Sequence, residues 1–195
     1  MVDQAAGLPM SRRSEIVAVA RRAFRQHGLD GTTLEMVATA AGLPRPHLYR
    51  YFRDKSDLVS AVVAAETDEI NERRRAASVA LTTFADRLVR AFELAVEVVH
   101  GDAFWSSLAA PGNVPYTAYA AAADPQVAAS NARFWTPIFD DAEAAGELRA
   151  DVDRDDLLTW LLGLQFMFLE RREIFPDVAD VGRYVRAFVL PAIVR

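Results

Sequence analysis

Residues 31–58 read "GTTLEMVATAAGLPRPHLYRYFRDKSDL", and the way this stretch folds organises the rest of the chain. Thr32 and Glu35 have the spacing of a capping box, with Thr33 as an alternative cap, so a helix starts here. Val37, Ala38 and Ala41 give it a short apolar stripe. Gly42 suits the left-handed residue that ends a helix. A second short helix follows, from about residues 44–46 to Tyr51 or Phe52. It turns Leu48 and Phe52, together with Leu43, towards Val37, Ala41, Phe24 and Leu58. Arg45, His47, Tyr49, Arg50 and Tyr51 are left for its outer faces. Asp54 then caps another helix, with Asp57 three residues on, and both acids suit the positive end of a helix dipole.

Two helices joined by a small-residue turn, with the second one exposed, have the arrangement of a helix-turn-helix. The prolines complicate its second helix. Pro44 has no side-chain oxygen to cap with, and Pro46 has no N–H. Proline also disfavours helical geometry in the residue before it, here Arg45. The expected solution starts the helix at Pro46 in the first position, where proline is tolerated, with Arg45 as the cap residue.

Outward from this stretch the pattern stays helical. Ile16, Ala20, Ala23, Phe24 and His27 recur on one face, so residues 11–27 form a helix capped by Ser11 and closed by Gly28. The helix begun at Asp54 extends to about residue 75 through the charged run "ETDEINERRR". Further helices are expected at about 82–100, 102–109, 125–145, 154–172 and 178–189, the last kinked or ended by Pro191. Nowhere do β-branched or aromatic residues alternate with polar ones for long. The predicted class is all-α. Residues 1–58 form a three-helix helix-turn-helix unit, the following helix connects, and residues 59–195 form a larger helical unit.

Composition narrows the chemistry. With 52% hydrophobic and 25% charged residues the chain supports a real core. It has no cysteine, and its three histidines (His27, His47, His100) lack metal-binding spacing, so neither a metal nor a cofactor is expected. No Ser-His-Asp set, paired carboxylates or phosphate loop points to an enzyme. The apolar run 157–169 is 13 residues and includes Thr159 and Gln165, whereas a membrane span needs ~20. The N-terminus carries charge from the start, so a cytoplasmic protein is expected. The net charge of −5 hides an asymmetry: residues 1–60 hold nine basic and six acidic side chains, and the remainder is strongly acidic. A basic end on an acidic body suits a surface that meets a polyanion. Lys55 is the only lysine in the chain.

The features "GTT", "VA…AGL", "LYRYF" and the lysine-x-x-leucine of residues 55–58 agree in register over about 50 residues. In them the chain resembles the N-terminal signature of the tetracycline-repressor (TetR) family of transcriptional regulators. The departures are Pro44 and Pro46, where the family commonly has Ser or Thr and a small residue. The resemblance implies a dimeric regulator bound to a palindromic double-stranded DNA operator. It places Thr33, Tyr49, Tyr51 and Lys55 against phosphates, and Arg45 and His47 at base edges. Arg50 faces either DNA or the body, and the Pro46 ring is placed to touch a thymine methyl. An arginine fork on guanine discriminates by ~1–3 kcal/mol, whereas phosphate contacts set register and salt dependence.

The C-terminal aromatics read first as core packing. A second reading is an apolar cavity for a small apolar or aromatic ligand between the helices at 82–100, 125–145 and 154–172. His100, Phe104, Trp105, Tyr116, Tyr119, Asn131, Trp135, Trp160 and Gln165 are its candidate residues. The helix at 154–172 is apolar nearly all round and needs cover on two sides. A second copy of the chain provides the outer cover, with Leu161, Leu164, Phe168, Tyr184 and Phe188 as candidate dimer contacts. The expected protein is thus a repressor released from DNA by its ligand. The alternative is a regulator of the same fold controlled by a protein partner or by no small molecule.

Overall fold

The computed structural model describes residues 11–108, 124–171 and 173–195. The chain divides into two compact units between Val62 and Val63, inside one helix and just beyond the predicted boundary at residue 58. Among the described residues the elements are helices, with only an isolated bridge from Leu148 to Val194.

In the first unit, α1 (Arg12–Gly31) starts at Ser11, whose hydroxyl accepts the Ser14 N–H. The predicted stop at Gly28 is present as a break: Gly28 has φ +70°, and a short helical turn continues beyond it. Thr33, not Thr32, caps α2 (Leu34–Ala40), accepting the Met36 N–H at 3.2 Å. Thr32 is buried instead, its hydroxyl donating to the Gly28 carbonyl at 2.7 Å. Gly42 ends the second helix with φ +64°.

The third helix differs from expectation. α3 spans Arg45–Leu48, with Pro44 in the cap position and Pro46 in the first turn. Pro44 is extended (ψ 137°) and makes no side-chain cap bond. Its carbonyl accepts the His47 N–H at 2.8 Å, which draws Arg45 into the helix despite the following proline. Pro46 sacrifices only an N–H that a helix start leaves unbonded anyway. After four residues the chain continues in tight turns, the Leu48 carbonyl accepting both the Tyr51 and Phe52 N–H groups. α4 (Lys55–Ser78) is closed at its start by a reciprocal pair. Asp54 accepts the Asp57 N–H at 2.8 Å, and Asp57 accepts the Arg53 N–H at 3.0 Å.

The second unit contains the rest of α4, α5 (Phe84–His100), α6 (Ala103–Leu108), α7 (Pro125–Ala144) and α8 (Arg154–Glu170). α9 (Val178–Tyr184) leads into a π turn at Val185–Val189 and α10 (Leu190–Ile193). Thr83, Asp124 and Asp153 cap α5, α7 and α8 through their side chains. Pro191 does not end the last segment, which stays helical through Ile193. The π turn places the Leu190 N–H on the Val185 carbonyl, and this wider turn gives the proline ring room.

The core forms around α5, which packs on α7, α8 and α9. Phe92 meets Phe168 edge-on at 5.4 Å and Trp135 at 6.1 Å, and Trp135 stacks on Phe139 at 5.7 Å. Each such ring contributes ~1.5–3 kcal/mol by leaving water.

Candidate nucleic-acid interface and ligand cavity

The first candidate site is the outer surface of α3 and the turn after it. Leu48 and Phe52 are buried and anchor the segment from beneath. Arg45, Pro46, His47, Tyr49, Arg50 and Tyr51 are exposed, so the sequence expectation separates inner from outer residues correctly. The Arg45 guanidinium donates to the Tyr49 hydroxyl at 3.3 Å and lies 3.8 Å from the Glu35 carboxylate. Those contacts, the tyrosine first, hold its pKa above the usual arginine value. The fork is thus held on the outer face, positioned by Glu35 of α2 and by Tyr49 in the turn after α3.

Lys55 is held more tightly than expected. Its ammonium donates to the Leu29 carbonyl at the end of α1, so it ties the start of α4 to that turn. Arg13 stacks over the Phe52 ring at 4.7 Å, a cation–π contact that the sequence reading did not anticipate. Thr33 keeps its hydroxyl on the Met36 N–H at an exposed helix start.

The second candidate site is a cavity within the second unit, holding about 40 Å³ of open volume, room for a few waters. The sequence reading placed it between α5, α7 and α8. The structure adds α6 and, above all, α4. Val63, Thr67, Ile70, Asn71 and Arg74 face it at the i, i+4, i+7, i+8 and i+11 spacing of one helical stripe. Of the candidate residues, Trp105, Asn131 and Gln165 line it.

Other expectations for this unit are corrected. Trp135 and Phe104 are buried core residues outside the cavity lining, and His100 at the end of α5 also lies outside it. Trp160 is 41% exposed. It sits five residues before Gln165, a separation of about 140° around a helix, so the two cannot share a wall. Tyr116 and Tyr119 lie outside the described residues. Among the candidate dimer contacts, Leu161 and Phe168 are fully buried within their own chain, because α5 takes that face of α8. Leu164 and Tyr184 are half-buried against the same core, and Phe188 is 65% exposed.

The sequence reading missed the residue with the most unusual surroundings, Arg74. It is 1% exposed. Its Nε donates to the Ala91 carbonyl at 3.0 Å, one terminal nitrogen to Asn71 at 3.1 Å and the other to Gln165 at 2.5 Å. Its guanidinium lies 5.2 Å from the Phe134 ring centroid. No carboxylate pairs with it among the described residues, and burial lowers its pKa to about 9. In the run Arg73-Arg74-Arg75 the outer two pair with Glu69 and Glu72 on the exposed face. Arg74 alone falls on the Val63–Thr67–Ile70 stripe, and that phase was the available signal.

Comparison with known proteins places the first unit in context. Residues 16–62 match the family model described as bacterial regulatory proteins, tetR family. The chain is 42% identical over 60 residues to the HTH-type transcriptional regulator AcrR of Shigella flexneri, covering 31% of this chain and 28% of that one. It is 32% identical over 74 residues to the HTH-type transcriptional repressor KstR2 of Mycobacterium tuberculosis, covering 38% and 37%. The chain thus spans about a third of the length of these curated relatives. The fold as a whole is similar to that of the transcriptional regulator FadR from Bacillus subtilis, solved with stearoyl-CoA. There the TM-score is 0.63 at 14% identity over 91% of this chain and 97% of that one.

Proposed function

The N-terminal domain of this chain belongs to the tetR family of bacterial regulatory proteins, and from that premise we propose that the protein is a ligand-responsive transcriptional repressor acting on cytoplasmic DNA. The observation that carries the reading is the outer surface of α3. Arg45, His47, Arg50 and two tyrosines stand exposed on a segment anchored by Leu48 and Phe52. Arg45 and His47 read base edges, while Thr33, Tyr49, Tyr51 and Lys55 hold phosphates. Pro46 presents its ring to the groove beside them.

A two-fold dimer is part of the proposal. The outer side of α8 and the π turn leaves Trp160 and Phe188 exposed, and a second copy covers them. Two recognition segments then meet one palindromic operator about 34 Å apart or a multiple of it. FadR of Bacillus subtilis was solved with stearoyl-CoA; here the cavity walled by α4, α5, α7 and α8 takes a ligand of its own. With about 40 Å³ open, it admits a molecule only as side chains such as Trp105 and Phe166 move. That movement is the coupling: a ligand shifts the protein towards the conformation it binds better. α4 carries Lys55 in one unit and Arg74 in the other, so it is the element through which the shift passes.

Selection from random duplex DNA with the purified protein tests the reading. The expected product is a palindromic sequence bound by the wild type and lost by the Arg45→Ala, Lys55→Ala double variant with its helical spectrum intact. Equal DNA binding by that variant would sink the proposal.

A further inference from the structure

Arg74 is the only ionisable side chain among the described residues lining the cavity. A guanidinium carries five N–H donors. Three are used, on the Ala91 carbonyl, Asn71 and Gln165, and all three acceptors are neutral. One N–H on each terminal nitrogen is left over. The buried indole N–H of Trp105, on the same cavity wall, also has no acceptor among the described residues. The cavity therefore gathers unmatched donors around an uncompensated positive charge. The rest of its wall is largely apolar, with Val63, Ile70, Ala95, Val99 and Phe166.

A tie between α4, α5 and α8 needs no charge. Keeping one buried without a counter-ion is costly, and an apolar side chain of similar size would fill the space more cheaply. A charge held in such a place is matched by what enters it. We propose that this cavity takes an anionic amphiphile. Its carboxylate or phosphate end sits on the Arg74 guanidinium within reach of the Trp105 N–H, and its apolar part lies along Val63, Ile70 and Val99. This rests on the reading of the protein as ligand-responsive and adds the chemical class of the ligand. The Phe134 ring beneath the guanidinium and the Asn71 and Gln165 side chains hold the fork in place before the ligand arrives.

The test compares three probes with one chain length: octanoate, octyl phosphate and 1-octanol. Each is titrated into the full chain and followed by tryptophan fluorescence, to which Trp105 contributes from the cavity wall. In parallel, release from a selected operator is followed by anisotropy. At least one anion is expected to bind about tenfold or more tightly than octanol, as one charge-assisted hydrogen bond implies. The order of octanoate and octyl phosphate identifies the head group. In Arg74→Gln the preference closes while octanol binding persists; Arg74→Lys retains it in part. Octanol binding as tightly as both anions would overturn the charge assignment and leave a ligand-responsive regulator standing. Binding of none of the three, with operator affinity unchanged throughout, would overturn both. If Arg74→Gln fails to fold, the wild-type comparison decides alone.

Discussion

Lys55 has a partner inside its own domain, the Leu29 carbonyl, so its ammonium is positioned before any DNA arrives. One substitution separates this structural tie from the phosphate contact proposed for the same side chain. Lys55→Ala is expected to lower stability by about 1 kcal/mol in urea unfolding. It should also reduce the slope of log affinity against log salt by about one unit. A loss of stability with an unchanged salt slope would make Lys55 a structural tie only. Arg45 differs in kind: its fork rests on Tyr49 and Glu35 at the exposed surface. Arg45→Ala is expected to cost ~1–3 kcal/mol at one operator base pair and to relax preference there. Selection repeated with the variant reads this directly. Uniformly weaker binding with every base preference preserved would move Arg45 to the phosphate class.

Among the elements, α2 and α3 depend on backbone geometry at single positions. Gly42 has φ +64°, a conformation in which a Cβ approaches the following carbonyl. Nothing else lies within 4 Å of a Cβ there, so Gly42→Ala isolates the backbone strain, about 1–2 kcal/mol by chemical unfolding. A cost near zero would show that the turn relaxes into another conformation. α8 offers a contrast along one helix. Phe168 is fully buried against Phe92, Phe175 and Tyr184, whereas Trp160 is 41% exposed. Phe168→Ala is expected to cost ~3–5 kcal/mol, and Trp160→Ala far less in an isolated chain. Thermal unfolding of both at low protein concentration checks this. The sequence shows an apolar helix all round, and it takes the position of α5 to show which face is inside.

For the whole molecule the exposed apolar side chains are the deciding feature. Phe188 is 65% exposed and Trp160 41%, a pattern that suits a surface covered in an oligomer. A Trp160→Glu, Phe188→Glu double variant is expected to sediment as a monomer and to lose operator affinity by several orders of magnitude, since one half-site contributes only part of the contacts. A variant that remains dimeric would place the interface elsewhere. Along the chain, the helices and most of their caps were legible because they depend on neighbours a few residues apart: Ser11, Asp54, Asp57, Gly28 and Gly42 act locally.

Local chemistry carried the all-helical class, the helix-turn-helix and the division of α3 into buried and exposed residues. Capping, turn geometry and apolar periodicity act within a few residues and are written in order along the chain. Tertiary structure decided the rest. It turned Leu161 and Phe168 into their own core, because α5 packs on that side of α8. It buried Arg74 between exposed Arg73 and half-buried Arg75. Three consecutive arginines are chemically identical in sequence. Which one loses its water depends on the phase of a helix against partners up to 91 residues away, and no local rule contains that distance.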